Sequence, residues 1–375
     1  MNGSAPSRTD LTLFLCGDVM TGRGVDQILP HPGNPQLFEP YVRSALDYVA
    51  LAEALGGSIA RPVGFDYIWG DALAELDAVR PAARIVNLET AITRADDHWP
   101  GKGIHYRMHP ANIGALTAAR IDCCGLANNH VLDWGYRGLQ ETLQVLHRAG
   151  ITTAGAGCHA TEAAEPAALH LPGGGRVLVF AVAFENAGVP PEWAARAAQP
   201  GLCVFPIPSA AVADQIGERV SATKRPGDIV VLSIHWGANW GYHIPSEHRI
   251  FAHRLIDRCH VDLIHGHSSH HPLGMEIHSG KLVLYGCGDF LNDYEGISGY
   301  EQFRGDLALM YFPTLKAGSG DLLHLLLKPM QIRRFRLTRA SDADVAWLRQ
   351  TLSREVERFG LGLERIGHDT LVLKS

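Results

Sequence analysis

Short apolar segments that end abruptly in polar side chains are the feature of this sequence that most restricts its fold. Apolar runs of this length are typical of buried strands. Between them, spacings such as that of Leu139, Leu143 and Leu146 predict amphipathic helices. Strands alternating with helices predict an α/β fold, in which the carboxyl ends of neighbouring strands form the site. The polar residues at these ends are Asp18, Glu89, Asn129 with His130, His235, and His267 with His270.

Length and composition exclude several classes of protein. The chain has 375 residues, of which 46% are hydrophobic and 19% charged, with a net charge of -6. We therefore expect one globular domain over residues 1–375, and no nucleic-acid partner because no basic run stands out. No segment has the length of a transmembrane helix, and the apolar run 11–16 is too short for a signal peptide. Seven cysteines without a C-x-x-C pair add to the expectation of a cytoplasmic protein with no membrane partner.

Three further segments are predicted to be two lid-like loops and a C-terminal helix. Residues 30–64 are rich in glycine and proline, which predicts an insertion or a lid. The polar loop 96–109 is a second lid-like segment. A C-terminal helix is predicted over 341–358, since Ser341 and Asp344 have capping-box spacing.

Histidine is concentrated in one part of the chain. Ten of the 20 histidines lie between His235 and His278. The apolar run 261–264 leads to Gly266, which allows a tight turn, and then to three histidines. Imidazoles in this position commonly bind a divalent metal, although a histidine-rich surface turn is the alternative. The three histidines are His267, His270 and His271.

Each polar strand end also has an ordinary structural explanation. Asp18 is a possible helix N-cap, Glu89 a capping partner and His235 a hydrogen-bonded core histidine. Their recurrence at the same end of successive strands favours a divalent-metal centre instead. Carboxylate, amide and imidazole ligands suit Mn²⁺, Fe or Zn²⁺ better than Mg²⁺, and a shared oxygen can bridge two ions. We expect a dinuclear centre and no organic cofactor. Ser-His-Asp hydrolysis is less favoured because the sequence has no G-x-S-x-G motif.

Six short motifs occur in order along the chain. They are Gly17-Asp-Val-Met20, Asn87-Leu-Glu89, Ala127-Asn-Asn-His-Val-Leu-Asp133, His235-Trp-Gly237, Gly266-His-Ser-Ser-His270 and Tyr285-Gly-Cys-Gly-Asp-Phe290. Together they resemble the CapA (poly-γ-glutamate capsule biosynthesis) family, which is related to the calcineurin-like metallophosphoesterases. The resemblance covers residues 13 to about 359.

The resemblance implies a four-layer α/β/β/α sandwich of the calcineurin-like metallophosphoesterase type, with a metal centre. It also implies that His130 is an acid or base beside the metals. Carried over residue by residue, the metal ligands are Asp18, Glu89, Asn129, His235, His267 and His270.

Two positions depart from the phosphoesterase pattern. Met20 stands where those enzymes have a histidine, and Val131 stands where an acidic residue follows the motif histidine. Both departures weaken the case for phosphoester hydrolysis. The expected lack of a membrane anchor also differs from capsule-assembly members. A CapA-like protein without an anchor, and with this composition rich in alanine, arginine and glycine and poor in lysine, is similar to lasso-peptide epimerases, which invert the C-terminal residue of a precursor peptide.

Cα epimerisation of a peptide is therefore the leading hypothesis. A divalent metal would stabilise the enolate-like oxyanion, and inversion needs acid/base groups on opposite faces of the carbon. His130 is one such group, while Lys102 and Arg107 are expected to bind a peptide carboxylate. The candidates for the second acid/base group are Asp289, His271 and His243.

Two alternatives stay open. The first is a metal-dependent hydrolase of a phosphoester or a γ-glutamyl amide in capsule polymer metabolism. The second is a non-catalytic binding module. In each case we expect a peptide or polyglutamyl partner. The metal (Mn, Fe, Zn or Ca) and the oligomeric state are left open by the sequence.

Overall fold

A computed structural model of the protein describes residues 10–171 and 174–374. Residues 1–9, 172–173 and 375 of the predicted single domain lie outside the described residues. The fold is mixed α/β with two large sheets, which confirms the predicted α/β class. No helix in the described ranges is both long and apolar enough to cross a membrane.

The regular elements are numbered in chain order. The α-helices are α1 (Gly24–Ile28), α2 (Ala45–Gly56), α3 (Ala72–Val79), α4 (Gly114–Ala118), α5 (Gly135–Arg148), α6 (Ala160–Ala164), α7 (Ala210–Thr223), α8 (Ser246–Cys259) and α9 (Asp342–Glu357). The strands are β1 (Leu11–Val19), β2 (Ala83–Leu88), β3 (Ala91–Ile92), β4 (Arg107–Met108), β5 (Cys123–Gly125), β6 (Thr152–Ala154), β7 (Ala156–Gly157), β8 (Ala167–His170), β9 (Arg176–Phe184), β10 (Gly201–Leu202), β11 (Val204–Phe205), β12 (Ile229–His235), β13 (Leu263–His267), β14 (Met275–His278), β15 (Lys281–Leu284), β16 (Asp289–Leu291), β17 (Leu307–Leu315), β18 (Leu322–Arg333), β19 (Arg336–Arg339), β20 (Gly362–Ile366) and β21 (Thr370–Lys374).

The first sheet has the strand order β20-β21-β18-β17-β1-β2-β5-β6, with β16 paired to β1 and β19 paired to β18. Strands β1, β2, β5 and β6 run parallel, and β16 is parallel to β1. The register places Asp18 opposite Asn87 on one side and opposite Asp289 on the other. Polar residues from three strands therefore meet at one edge.

The second sheet has the order β11-β9-β12-β13-β15-β14, with β8 paired to β9. Its central strands β9, β12, β13 and β15 run parallel. The register of β12 and β13 places His235 opposite His267 at their carboxyl ends.

Side chains of the second sheet alternate between two cores, as expected for a sheet buried on both faces. Val179 and Val231 pack in the core that also holds the strands of the first sheet. Their neighbours Phe180 and Leu232 pack instead against α7 and α8. The second sheet thus shares one face with the first sheet and covers the other with helices.

The predicted insertion at 30–64 contains a helix that the sequence pattern did not reveal. Ser44 caps α2 by accepting a hydrogen bond from the backbone of Leu46, and Tyr48 and Val49 are buried against the main core. The segment is therefore packed onto the domain over the length of this helix. Whether it moves as a lid stays a prediction.

The C-terminal part agrees only partly with the expectations. The capping box of Ser341 and Asp344 is present at the start of α9. Strand β18 continues through Pro329. Its pairing with β21 ends before this proline and its pairing with β19 begins after it, a position where proline is tolerated. The hairpin of β20 and β21 was not predicted.

The buried guanidinium of Arg23 connects the 30–64 segment to the edge that carries the polar strand ends. It donates hydrogen bonds to Glu39 at 2.9 Å and to Asp293 at 3.1 Å. It also donates to the hydroxyl of Tyr48 at 3.0 Å and lies over the ring of Tyr106, 4.6 Å from its centre. This cluster fixes α2 relative to residues around the polar edge.

A close backbone approach fixes the end of β1. The backbone N–H of Asp18 donates to the carbonyl oxygen of Gly288 at 3.0 Å. A Cβ atom built on Gly17 would lie 1.6 Å from the same oxygen. Only glycine fits here, because any side chain would separate the two segments.

We expect Gly17→Ala to lower the free energy of unfolding by about 3 kcal/mol or more, since the extra methyl group forces the backbone apart. Gly362→Ala is the matched control, because its nearest atom is Lys374 Cβ at 3.9 Å. Urea denaturation followed by circular dichroism measures both changes. Equal stability of the two variants would contradict the close approach.

Candidate metal centre

The candidate site forms where the carboxyl ends of parallel strands from both sheets meet. Asp18 lies at the end of β1, and Glu89 follows β2 directly. His235 ends β12 and His267 ends β13. The polar strand ends of the sequence are therefore neighbours in space.

The first cluster consists of Asp18, His235 and His267. One potential ligand atom from each lies within 4.8 Å of the others, and all three residues are buried. The Nδ1 atoms of the two histidines are 2.8 Å apart. The Nδ1 atom of His267 is 4.0 Å from Asp18 Oδ1.

The second cluster consists of Asp18, His270 and Asp289, whose potential ligand atoms also lie within 4.8 Å of one another. His270 Nδ1 is 2.9 Å from Asp289 Oδ1, and Asn292 donates to the other Asp289 oxygen at 2.8 Å. Asp18 belongs to both clusters, so its carboxylate lies between two possible cation positions.

Glu89 and Asn129 complete the set predicted from the sequence. Glu89 Oε2 lies 4.0 Å from His235 Nδ1. The amide of Asn87 donates to Asp18 at 2.8 Å and to Glu89 at 3.0 Å, which holds both carboxylates in place. Asn129 lines the same cavity as Glu89 and His235. The structure thus brings together Asp18, Glu89, Asn129, His235, His267 and His270.

Burial dominates the electrostatics of these residues. Burial, with a contribution from the charge of Asp289, raises the pKa of the Asp18 carboxyl to about 7. Burial and the charge of Asp18 also raise the pKa of Glu89 well above its usual value. Burial lowers the pKa values of His235 and His267 far below 6.5. His235 and His267 are therefore neutral, as metal ligands must be. The pKa of His270 is raised instead, because the charge of Asp289 outweighs the effect of burial.

Two orphaned oxygen atoms fit the presence of a metal. Asp18 Oδ2 and Asn129 Oδ1 are buried and have no hydrogen-bond partner among the described residues. Such atoms are unfavourable unless another group satisfies them. A divalent cation would satisfy these oxygens, and it would also account for the close approach of the Nδ1 atoms of His235 and His267. The mixed oxygen and nitrogen donors suit Mn²⁺, Fe or Zn²⁺.

His130 lies beside the clusters and is held by neighbours of its own. Its Nδ1 atom is 2.7 Å from Asp133 Oδ2, and its Nε2 atom is 4.0 Å from Glu89. Lys102 Nζ contacts the other oxygen of Asp133 at 2.6 Å. Burial and the charge of Lys102 lower the pKa of His130 well below 6.5. Lys102 Nζ also lies 3.0 Å from this Nδ1 atom, but its shorter contact is with Asp133. We therefore assign the Nδ1 proton to the hydrogen bond with Asp133, which leaves Nε2 as an acceptor facing the cavity.

Sequence reasoning missed three residues of this site. Asp133 orients His130, and Asn87 holds the carboxylates. Asn128 donates to Asn87 at 3.0 Å and accepts from the backbone of His130 at 3.1 Å. Asn87 was detectable, because it lies two residues before Glu89 and so on the same face of the strand. Asp133 lies three residues after His130, within the motif Ala127-Asn-Asn-His-Val-Leu-Asp133.

The two predicted carboxylate-binding residues lie in different surroundings. Lys102 lines the cavity, but its ammonium group is paired with Asp133. Arg107 donates to the carbonyl oxygen of Ala95 at 2.6 Å and to Asp96 at 2.8 Å, and it lies over the ring of Trp134. Because protein groups already occupy its guanidinium, the geometry gives no support to substrate binding by Arg107.

The three candidates for a second acid/base group lie in different parts of the structure. Asp289 belongs to the second cluster. His271 is buried, accepts a hydrogen bond from the backbone of Gly241 at 3.0 Å and stacks on Phe303. His243 is exposed and lines a different cavity. Of the three, only Asp289 lies within the clusters.

The cavity above the clusters has a volume of about 340 Å³. His130, Lys102 and Tyr106 line one part of it, and Asn239 lines another. Tyr294 lines this cavity and an adjoining one of about 490 Å³. Tyr294 is therefore the residue that the two cavities have in common.

The protein has a mixed α/β fold, with clusters of carboxylates and imidazoles at the ends of its strands. Both features agree with the resemblance to the CapA family. The model of the bacterial capsule synthesis protein PGA_cap family matches residues 12–294, and the chain belongs to this family.

The chain is 49% identical over 352 residues to a probable polyglutamine synthesis accessory protein of Mycobacterium tuberculosis, covering 94% of this chain and 92% of the relative. It is 25% identical over 313 residues to the PGA biosynthesis protein CapA of Bacillus subtilis, covering 83% and 69%. The predicted CapA resemblance is confirmed. The names of these relatives give no support to peptide epimerisation and agree better with the capsule-related alternative.

We expect His267→Ala to weaken Mn²⁺ binding by more than about tenfold, because it removes a cluster ligand. His130→Ala should retain the metal, since Asp133 already engages its Nδ1 atom. His324→Ala, at an exposed position of β18, is the control. Electron paramagnetic resonance of free Mn²⁺ measures binding. Equal loss in the His130 and His267 variants would make His130 a ligand and contradict its assignment.

Proposed function

We propose that this protein is a divalent-metal-dependent hydrolase that cleaves a γ-glutamyl amide bond in a glutamyl or glutaminyl polymer. The observation that carries the proposal is the position of Asp18, shared by two clusters beside an open cavity that also contains His130. The names of the relatives, which refer to polyglutamine synthesis and PGA biosynthesis, support the substrate class.

The proposal includes the four-layer α/β/β/α arrangement and a dinuclear centre. The core shared by the two sheets, and the packing of α7 and α8 on the outer face of the second sheet, support the layers. One cation would be held by Asp18, His235 and His267, and a second by Asp18, His270 and Asp289. Glu89 and Asn129 would be further ligands. Such cations would act as Lewis acids and lower the pKa of a bound water.

His130 would move the proton in the reaction. Its Nε2 atom accepts a proton from the attacking water as the water oxygen bonds to the amide carbon. The C–N bond then breaks, and Nε2 returns the proton to the leaving nitrogen. Asp133 keeps the ring oriented and stabilises its transient positive charge, while Tyr106 holds Asp133 through a backbone hydrogen bond of 2.7 Å.

The cavities suit an extended substrate. Their volumes lie within the range typical of ligand sites, and Tyr294 lines both. Asn239 and Ser268 offer polar groups to a polymer, and Lys102 contributes a positive charge near the His130 side. The carboxylate or carboxamide side chains of a glutamyl or glutaminyl polymer could accept hydrogen bonds from these three residues.

Phosphoester hydrolysis remains the second candidate, because the implied metallophosphoesterase relationship allows it. Met20 argues against it. The thioether lies where phosphoesterases have a histidine, and its sulfur is 3.5 Å from the hydroxyl of Tyr294. A thioether there offers no imidazole nitrogen and no hydrogen-bond donor, so the site departs from the phosphoesterase pattern at this position.

Isotope labelling distinguishes the proposed reactions. Incubation of γ-linked glutamyl oligomers with the protein and Mn²⁺ in H₂¹⁸O should place one labelled oxygen in each new carboxyl group. In D₂O the Cα positions should gain no deuterium, as read by mass spectrometry. Deuterium uptake with inversion and without cleavage would instead support an epimerase. Release of phosphate from model esters alone would support phosphoester hydrolysis, and no turnover of any substrate would support a binding module.

We expect Asp133→Asn to lower kcat by about 10²- to 10⁴-fold, because the amide no longer holds the imidazole in the required tautomer. Mn²⁺ binding and KM should change little. Asp96→Asn is the matched control, since Asp96 pairs with Arg107 at a largely exposed position. Steady-state kinetics and metal content are measured together. Unchanged kcat in Asp133→Asn would remove His130 from the mechanism.

A further inference from the structure

A second set of metal-binding side chains lies outside the cavity, between α8 and β14. His253 and Asp257 are four residues apart on α8 and so lie on one face of the helix. Glu276 and His278 are two residues apart on β14 and share one face of the strand. The two faces meet, since His253 Nε2 is 2.9 Å from Glu276 and His278 Nε2 is 2.9 Å from Asp257.

The donor atoms converge closely. Potential ligand atoms of His253, Glu276 and His278 lie within 4.8 Å of one another. The two imidazole rings stack with their centres 3.7 Å apart. Both rings direct Nε2 to a carboxylate oxygen of the opposite element. Asp257 lies outside the converging group but contacts His278, and with its oxygen the set offers two nitrogens and two oxygens. This composition is suited to four-coordinate Zn²⁺.

Further hydrogen bonds orient both carboxylates. The hydroxyl of Tyr285 donates to Glu276 Oε2 at 2.6 Å, and Ser279 donates to Asp257 Oδ1 at 3.0 Å. In each case the bond engages the oxygen that does not contact a histidine. Outer contacts of this kind are typical of metal sites, where they fix the ligating oxygen.

We propose that His253, Asp257, Glu276 and His278 bind one divalent transition-metal ion, with Zn²⁺ as the preferred ion. The side chains of His253 and His278 are 27% and 23% exposed, so an ion can reach them from solvent. The ion would join α8 to β14. This proposal does not depend on the proposed function, because none of the four residues belongs to the cavity.

The position gives the ion a structural role. The segment before α8 contains Asn239, and the segment before β14 contains His270; Asn239 Nδ2 and His270 Nε2 are 3.1 Å apart. Joining α8 to β14 would therefore limit the relative movement of two segments that each supply a residue to the cavity. Bound Zn²⁺ should also raise the thermal stability by mass action.

The test uses the full-length protein after removal of any affinity tag. Co²⁺ and Zn²⁺ are titrated into the wild type, His253→Gln and His278→Gln, with His324→Gln as a matched surface control. We expect each of the first two variants to bind one equivalent fewer than the wild type and to lose part of the tetrahedral Co²⁺ absorption. The control should match the wild type. Equal stoichiometry in all four proteins would overturn the proposal.

A measurement on the wild type alone covers the case in which a variant fails to fold. Diethyl pyrocarbonate modifies accessible histidines, and mass spectrometry identifies the modified positions. Zn²⁺ should slow modification of His253 and His278 by at least about tenfold, because coordination occupies Nε2. Modification of the exposed His324 should not change. Equal rates with and without Zn²⁺ at His253 and His278 would also overturn the proposal.

Discussion

The buried carboxylate of Asp18 is the group on which the rest of the site depends. Its place is set by backbone contacts rather than by its own side chain, since β1 approaches the Gly288 carbonyl so closely that only Gly17 fits. Asn87 then holds Asp18 in line with Glu89. Burial and the charge of Asp289 raise the pKa of this carboxyl although His270 opposes the shift, and a bound cation would relieve this unfavourable state. The packing that stabilises the fold therefore also positions the carboxylate that would bind a metal ion.

Much of this centre could be predicted from the sequence because parallel strands obey a simple rule. The carboxyl ends of parallel strands lie at the same edge of their sheet, so His235 and His267 on β12 and β13 had to be neighbours once the strands were recognised. The approach of Asp18 depends instead on how the first sheet packs against the second. The period of two along a strand also places Asn87 beside Glu89. The α/β class followed from the same alternation of strands and helices. The family resemblance added the set of side chains to consider.

The remaining features depend on contacts between distant parts of the chain. Arg107 has the charge and loop position of a substrate-binding residue, yet Ala95, Asp96 and Trp134 surround its guanidinium. The difference between a functional and a structural arginine lies in these partners, which the local sequence does not specify. Helix α2 was missed for a related reason. Its burial against the core, rather than a strong local pattern, stabilises it in a segment rich in glycine and proline.

The Arg23 cluster has a consequence for how a polymer would reach the cavity. Of its two carboxylate partners, Glu39 belongs to the 30–64 segment, whereas Asp293 does not. An outward swing of α2 would therefore break the buried ion pair with Glu39 and the hydrogen bond with Tyr48, which is costly. If the substrate is the proposed glutamyl polymer, threading of an extended chain end through the existing mouth would avoid this cost. It would also favour attack near chain termini over attack within a coiled polymer.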